Sequence, residues 1–189
     1  MVINGIFAIV NESLLSVQFE GNERDEFARL FEQWQDIEYL ENFFESNKDD
    51  LQSGFFGNIS IDEAVFTTTE EANELETHIQ EVAEKGQEDD YSTLYDLVFR
   101  PLRANDTSTS HVESKAYGLA SKSWLRVYAI QITTNLYVVS GGAIKLTQAM
   151  QDRPHTTEEL EKLKATASYL KEIGLEGSGD YGYIDIQTS

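Results

Sequence analysis

Cysteine is absent from the 189 residues, which excludes a disulfide framework, a thiolate metal cage and a cysteine nucleophile. Basic residues are scarce. Fourteen Lys and Arg stand against 34 Asp and Glu, and the net charge of −20, taken whole, argues against nucleic-acid binding. No apolar run approaches the ~18 residues that span a bilayer. The opening Met1-Val2-Ile3-Asn4-Gly5-Ile6-Phe7 also lacks the positively charged stretch that begins a signal peptide. A cytoplasmic protein with no membrane partner is expected. The three histidines, His78, His111 and His155, lie far apart with no ligand-like spacing, so no metal site is expected. The Gly-x-x-x-x-Gly-Lys phosphate loop, the Gly-x-Ser-x-Gly elbow and the His-Glu-x-x-His pair are missing. Gly141-Gly142 lacks the spaced third glycine of a dinucleotide site, and no cofactor is expected.

What is present suffices for a core. Hydrophobic residues make up 40% and aromatics 11%, which rules out wholesale disorder. The length fits one domain over residues 1–189, in three parts: acidic 1–90, basic 91–174 and a tail at 175–189. The charge is unevenly spread. Residues 1–90 hold 23 acids and 4 bases, whereas 91–155 hold 7 bases against 4 acids. Half of all the bases thus sit in a third of the chain, the kind of asymmetry that marks a polyanion site beside an acidic part.

Periodicity supplies the elements. Ile6–Val10 and Leu14–Phe19 read as a hairpin around Asn11-Glu12-Ser13. Asn22 is placed to cap a helix whose stripe runs Phe27, Leu30, Phe31, Trp34, Ile37, Leu40 and Phe44. Ser60-Ile61-Asp62-Glu63 is a capping box that opens a second helix ending at Gly86, with a break expected at Thr67-Thr68-Thr69. Its Glu70, Glu71, Glu74, Glu76, Glu81 and Glu84 read as a solvated face. Pro101 stops the short run 94–99, and 105–110 is a polar loop. Two β-rich runs follow, Trp124–Ile132 and Leu136–Leu146, the first apolar on both faces as in a central strand, with a bulge or a close backbone approach expected at Gly141-Gly142. Pro154 and a capping box at Thr156-Thr157-Glu158-Glu159 open a last helix with the stripe Leu160, Leu163, Ala167 and Leu170, closed by Gly174. The alternating 183–186 segment suits an edge strand or a flexible end. These elements predict an α+β fold: a mostly antiparallel sheet covered by two acidic N-terminal helices and a C-terminal helix.

The candidate chemistry lies on the second hairpin. Arg126 shares a strand face with Tyr128, and Lys145 lies near the end of the next strand. Folding about Thr134 sets Arg126 opposite Gly142, and a bulge there brings Lys145 onto the same face. Arg126, Lys145 and Tyr128 are therefore the catalytic candidates, expected to border one groove. The two cations would stabilise the charge that develops when a 2′-hydroxyl attacks a phosphodiester, and the tyrosine would stack on a base or move a proton. Arg100, Arg103, Lys115 and Lys122, flanking the polar loop, are the RNA-binding candidates. The alternative is that Arg126 and Lys145 pair with acids of the first half.

Leu125-Arg126-Val127-Tyr128-Ala129-Ile130, a short turn, then Leu136–Thr147 with its apolar strand and Lys145, resembles the paired strands of the RelE/HigB-like toxin superfamily. The Thr-, Pro-, Glu- and Leu-rich stretch through Leu170 resembles the continuation, and the likeness covers residues 94–171. It implies a toxin-type RNA-directed endonuclease, active or degenerate, of a toxin–antitoxin pair. The implied partners are an antitoxin protein and mRNA on the ribosome, and no metal is needed. Position by position it carries over to Arg126 and Lys145, then Tyr128. Leu146 stands where the family has a second Lys, and the acidic first half has no counterpart in it. A second function class follows from that half: a non-catalytic acidic interaction protein offering carboxylates to a basic partner.

Overall fold

The computed structural model describes residues 1–104, 106, 108, 111–147, 153–175 and 186–188. Most of the polar loop at 105–110 and most of the tail therefore lie outside the described residues. The chain opens with the antiparallel hairpin of β1 (Ile3–Val10) and β2 (Leu14–Phe19). Its turn has no glycine. Glu12 takes the left-handed conformation instead, with φ 63°.

The long aromatic stripe forms two helices. Asp25, rather than Asn22, caps α1 (Glu26–Gln35), accepting from Phe27 N at 2.9 Å and Ala28 N at 3.2 Å. Asp36 then leaves the helical region (φ −80°, ψ 105°) and caps α2 (Ile37–Ser46) by accepting from Tyr39 N. An aspartate competes well for a helix N-terminus, so one continuous stripe is cut at that point. Ile37, expected inside the stripe, is left 59% exposed.

The short α3 (Lys48–Leu51) leads to α4 (Ile61–Lys85), which the Ser60–Glu63 capping box opens. Helix α4 does not break at its threonines. Thr68 and Thr69 donate back to the carbonyls of Ala64 and Val65, at 2.7 and 3.0 Å, and the helix continues. Its acidic face is not wholly solvated either: Glu71 is buried and accepts from Ser123 Oγ. After α5 (Leu94–Leu97) come β3 (Arg100–Pro101), β4 (Val112–Tyr117), β5 (Leu125–Gln131), β6 (Tyr137–Ile144), α6 (Pro154–Glu172) and β7 (Ile186–Thr188). Helix α6 starts at Pro154 with Arg153 as its N-cap residue. Thr156 is therefore inside the helix, donating to the Arg153 carbonyl, and forms no capping box. Gly174, with φ 71°, follows the helix as its left-handed stop.

The strands form one sheet in the order β3-β4-β5-β6-β2-β1-β7. It is mostly antiparallel, with parallel joins at β2–β6 and β1–β7. Alternate residues feed two cores. Leu125, Val127, Tyr137 and Val139 face α1, α2 and α4, while Tyr128, Ile130, Val138, Leu15 and Val17 face Leu163 and Leu170 of α6. The fold is α+β, as its elements predict, with the N-terminal helices on one face and α6 on the other. Among the described residues no helix is long and apolar enough to cross a membrane.

The hairpin register differs by one residue from expectation: Arg126 lies opposite Ala143, and Val127 opposite Gly142. The bulge falls at Ser140, between the pairs Tyr128–Gly141 and Ala129–Val139. Gly142 marks a close approach of α1 to β6. A Cβ there would sit 2.5 Å from both the Arg126 carbonyl oxygen and Leu30 Cδ2. Backbone cannot yield as a flexible side chain does, so Gly142→Ala is expected to destabilise the fold by about 1–3 kcal/mol. A urea midpoint equal to wild type would show that α1 can retreat from β6 without loss.

Candidate functional site

Two neighbouring clefts lie along β6. The first is open, about 500 Å³ in volume, and is lined by Arg126, Lys145, Asp50, Phe55, Phe56 and Thr147 among others. Arg126 is anchored rather than loose. One terminal nitrogen donates to the carbonyls of Ser123 (2.9 Å) and Leu125 (2.6 Å), while the guanidinium lies 4.1 Å from the centre of the Tyr117 ring. Those two bonds occupy both hydrogens of that nitrogen and leave the other arm of the fork to a ligand. Burial lowers the Arg126 pKa, opposed by Tyr117, Tyr128 and Glu71, yet a guanidinium stays charged throughout the working range of pH. The carboxylate in this cleft, Asp50, is held bidentately by Arg153 at 2.6 and 2.7 Å, which offsets its charge.

The remaining candidates are dispersed. Tyr128 does not border the groove: it is 1% exposed and packed in the α6-side core, and burial raises its phenol well above the ordinary value. A ring so enclosed can neither stack on a base nor pass a proton to solvent, and the expectation for Tyr128 is corrected on that ground. Tyr117, 43% exposed on β4, is the aromatic beside Arg126. Lys115 reaches the same ring at 5.5 Å, and Lys122 lies 5.7 Å from the half-exposed Phe55 ring. These four cations, Arg126, Lys145, Lys115 and Lys122, are associated with the cleft or with aromatic rings next to it. Arg100 and Arg103 are spent elsewhere. Arg100 donates to the carbonyls of Tyr95, Asp96 and Phe99 at the end of α5, and Arg103 pairs with Glu113 at 3.8 Å.

The second cleft, about 200 Å³, lies between α1, α2, α6 and the end of β6. The parallel pairing of β2 with β6 runs only from Leu14 to Ser16, opposite Tyr137 to Val139. The helices that follow these two strands, α1 and α6, pack on opposite faces of the sheet. Such a switch point leaves a crevice beyond the carboxyl ends of the strands. Here it is lined by the charged side chains of Arg29, Glu158, Glu159 and Lys162, with Glu26 buried beside them. Glu26, fully buried, accepts from Arg29 at 2.7 and 3.0 Å, from Asn22 at 2.9 Å and from Lys162 at 3.1 Å. Lys162 also donates to Glu159 Oε1 at 2.8 Å.

Glu159 is 6% exposed, and its Oε2 has no hydrogen-bond partner. Burial pushes its pKa up to about 7; neighbouring Lys162 and Arg29 oppose the rise and Glu26 adds to it. Gly141, at φ 149°, passes directly beneath this carboxyl, where any Cβ would strike Glu159 Oε2. Tyr39, Phe43 and His155 supply ring walls. Tyr39 stacks on Phe43 at 6.2 Å, and His155 stands edge-on to Phe43 at 5.3 Å while its Nε2 donates to the Ile144 carbonyl at 3.1 Å. Among the described residues no group of three or more His, Asp or Glu is arranged to hold a metal ion.

No protein-family model, curated protein or solved structure matches the chain. The site is therefore read from its chemistry alone. Reading the sequence missed Glu26, Arg29, Glu159 and Lys162. The available signal was the opposite-charge pair Glu159–Lys162 at i, i+3 beside Leu163, facing a strand that carries two adjacent glycines.

Proposed function

We propose that the chain is an RNA-directed, toxin-type protein of the RelE/HigB kind, which engages a single-stranded RNA phosphodiester in the Arg126–Lys145 cleft. The observation that carries the reading is the shared cleft: two cations line one open concavity whose own carboxylate is already tied to Arg153. Tyr117 and Phe55 beside it give bases a surface to stack on, and a base on an aromatic ring is typically worth ~1–3 kcal/mol whatever its sequence. The later part of the chain, an antiparallel run from β3 to β6 followed by α6, has the order the resemblance implies, whereas the chain opens with a two-stranded hairpin and five helices rather than one strand and two helices. Cleavage in this reading is electrostatic. Arg126 and Lys145 would hold the phosphoryl oxygens while the 2′-oxygen bonds to phosphorus and the bond to the 5′-oxygen breaks, water taking the 2′ proton and supplying one to the departing 5′-oxygen.

The second reading, an acidic partner surface, is favoured by the exposed Glu38, Glu41 and Glu45 of α2 and by Glu70, Glu74, Glu81 and Glu84 of α4. One pair of measurements separates the two. Wild type should bind a single-stranded RNA oligonucleotide, and Arg126→Ala with Lys145→Ala should weaken it at least tenfold. Loss of two phosphate contacts should also reduce the slope of log K against log salt by about 1.4. Induced expression in a bacterial host should arrest growth, and Arg126→Ala should relieve the arrest. Wild type that neither binds RNA nor slows growth would leave the acidic interaction reading.

A further inference from the structure

We infer that the crevice between α1, α2, α6 and the end of β6 is a nucleobase pocket, the base subsite of the RNA cleft that adjoins it. This rests on the RNA reading for its position in a longer ligand. The grounds for a binding site are its own.

Three observations carry it. The first is the orphaned oxygen. Glu159 is 6% exposed, and its Oε2 is buried without a partner, a condition that costs stability wherever nothing arrives to fill it. The second is the donor beside it. Lys162 Nζ spends two of its three hydrogens on Glu26 and Glu159, so one N–H remains next to the free Glu159 oxygen. Once Glu159 is ionised, above about pH 7, a group that accepts a hydrogen bond lies beside one that donates, and the pair matches a ligand edge with a donor adjacent to an acceptor. Every Watson–Crick edge has that form, and aliphatic ammonium groups and ionised carboxylates do not. The third is the wall. Tyr39, Phe43 and His155 line the same cleft, and flat apolar rings beside a few convergent polar groups are what a planar heterocycle requires.

Position agrees with chemistry. The pocket is lined by Gly142, Ala143 and Ile144 of β6, and the basic cleft by the residues that follow them, Lys145, Leu146 and Thr147. A nucleotide whose phosphate meets Lys145 would thus carry its base toward the Glu159 crevice. Gly141 belongs to the same device: only a residue without a Cβ leaves the Glu159 carboxyl its place against β6.

The test uses the full chain and the four ribonucleosides, which have no phosphate and so do not call on Arg126 or Lys145. Titration by calorimetry at pH 8, where Glu159 is ionised, should show saturable binding of at least one nucleoside, weakened tenfold or more in Glu159→Gln. That variant keeps the shape and replaces the accepting oxygen. Glu161→Gln, on the exposed face of α6 and outside the cleft, should bind as wild type does. A short RNA should lose affinity in Glu159→Gln and, independently, in Arg126→Ala. Absence of binding for all four nucleosides, together with unchanged RNA affinity in Glu159→Gln, would overturn the pocket; sensitivity to Arg126→Ala would then still uphold the RNA reading. Nucleoside binding lost in Glu159→Gln by a protein that takes no RNA would uphold the pocket and remove the longer ligand. Should Glu159→Gln melt well below wild type, Lys162→Met, which removes the donor and keeps the carboxyl, makes the same test.

Discussion

Replacing Glu26 with alanine should cost about 3–5 kcal/mol of folding stability, the largest single loss expected outside the apolar core. The carboxylate is fully buried and is the common acceptor for Asn22, Arg29 and Lys162. Its removal leaves Lys162, 7% exposed, to share a crevice with Arg29 and a half-charged Glu159. The penalty is that of a buried lysine and Arg29 left with Glu159 as their remaining acidic neighbour, rather than of four lost bonds alone. Two further variants separate these causes. Glu26→Gln keeps volume and accepting oxygen but not charge, and should lose roughly half as much. Pairing Glu26→Met with Lys162→Met removes both charges and should recover most of the loss, because an apolar pair of similar size often does as well as a buried ion pair. Urea midpoints of the four proteins at constant m-value decide the matter. A cost below about 1 kcal/mol for Glu26→Ala would mean that water reaches the cluster and screens it.

The α+β architecture was legible because its main determinants are local. The hairpin of β1 and β2, the Ser60–Glu63 box and the Gly174 stop each follow from a few adjacent residues. The apolar character of both faces of β5 likewise reported its central place between β4 and β6. What failed locally failed for a physical reason. Asp36 interrupts a stripe that continues on both sides of it, and hydropathy does not register a side chain that prefers to cap.

The basic cleft was half legible. Reading outward from the turn brought Arg126 and Lys145 close, and the bulge, one position away from where the glycines suggested, left both on the rim of one cleft. Alternation alone could not tell that Tyr128, on the same strand, is covered by α6. The charged crevice was not legible at all. The inner face of α6 runs Thr156, Glu159, Leu163, Thr166 and Leu170, a helical period as good as the leucine stripe, but written partly in residues that are ordinarily read as solvated. Only the meeting of α1 and α6 across a sheet that parts between β2 and β6 turns them inward, and that contact joins residues 136 apart in sequence.

The same carboxyl should make the protein lose stability as pH rises toward neutrality. Glu159 in the folded chain holds its proton up to about pH 7, against an ordinary 4.5 for the exposed side chain. Between those values the native state binds a proton that the unfolded chain has released, so unfolding free energy falls with increasing pH across the window and is flat above it. At ~1.4 kcal/mol per pH unit the full interval amounts to about 3 kcal/mol, an upper figure since Glu159 shares its proton affinity with a close lysine. The groups that face it are Glu26 and Arg29 of α1, Tyr39 of α2, and His155, Glu158 and Lys162 of α6. Glu71 and Glu76, raised by burial, act in the same sense, while Glu63, Asp89 and Asp106, lowered by hydrogen bonds at the surface, act in the opposite sense and only at more acid pH. Glu159→Gln mimics the protonated carboxyl at every pH. Its melting temperature should therefore match wild type at pH 5 and exceed it at pH 8, by several degrees for a chain of this size. Parallel curves for the two proteins from pH 5 to 8 would assign the native carboxyl an ordinary pKa, and with it a crevice open to water.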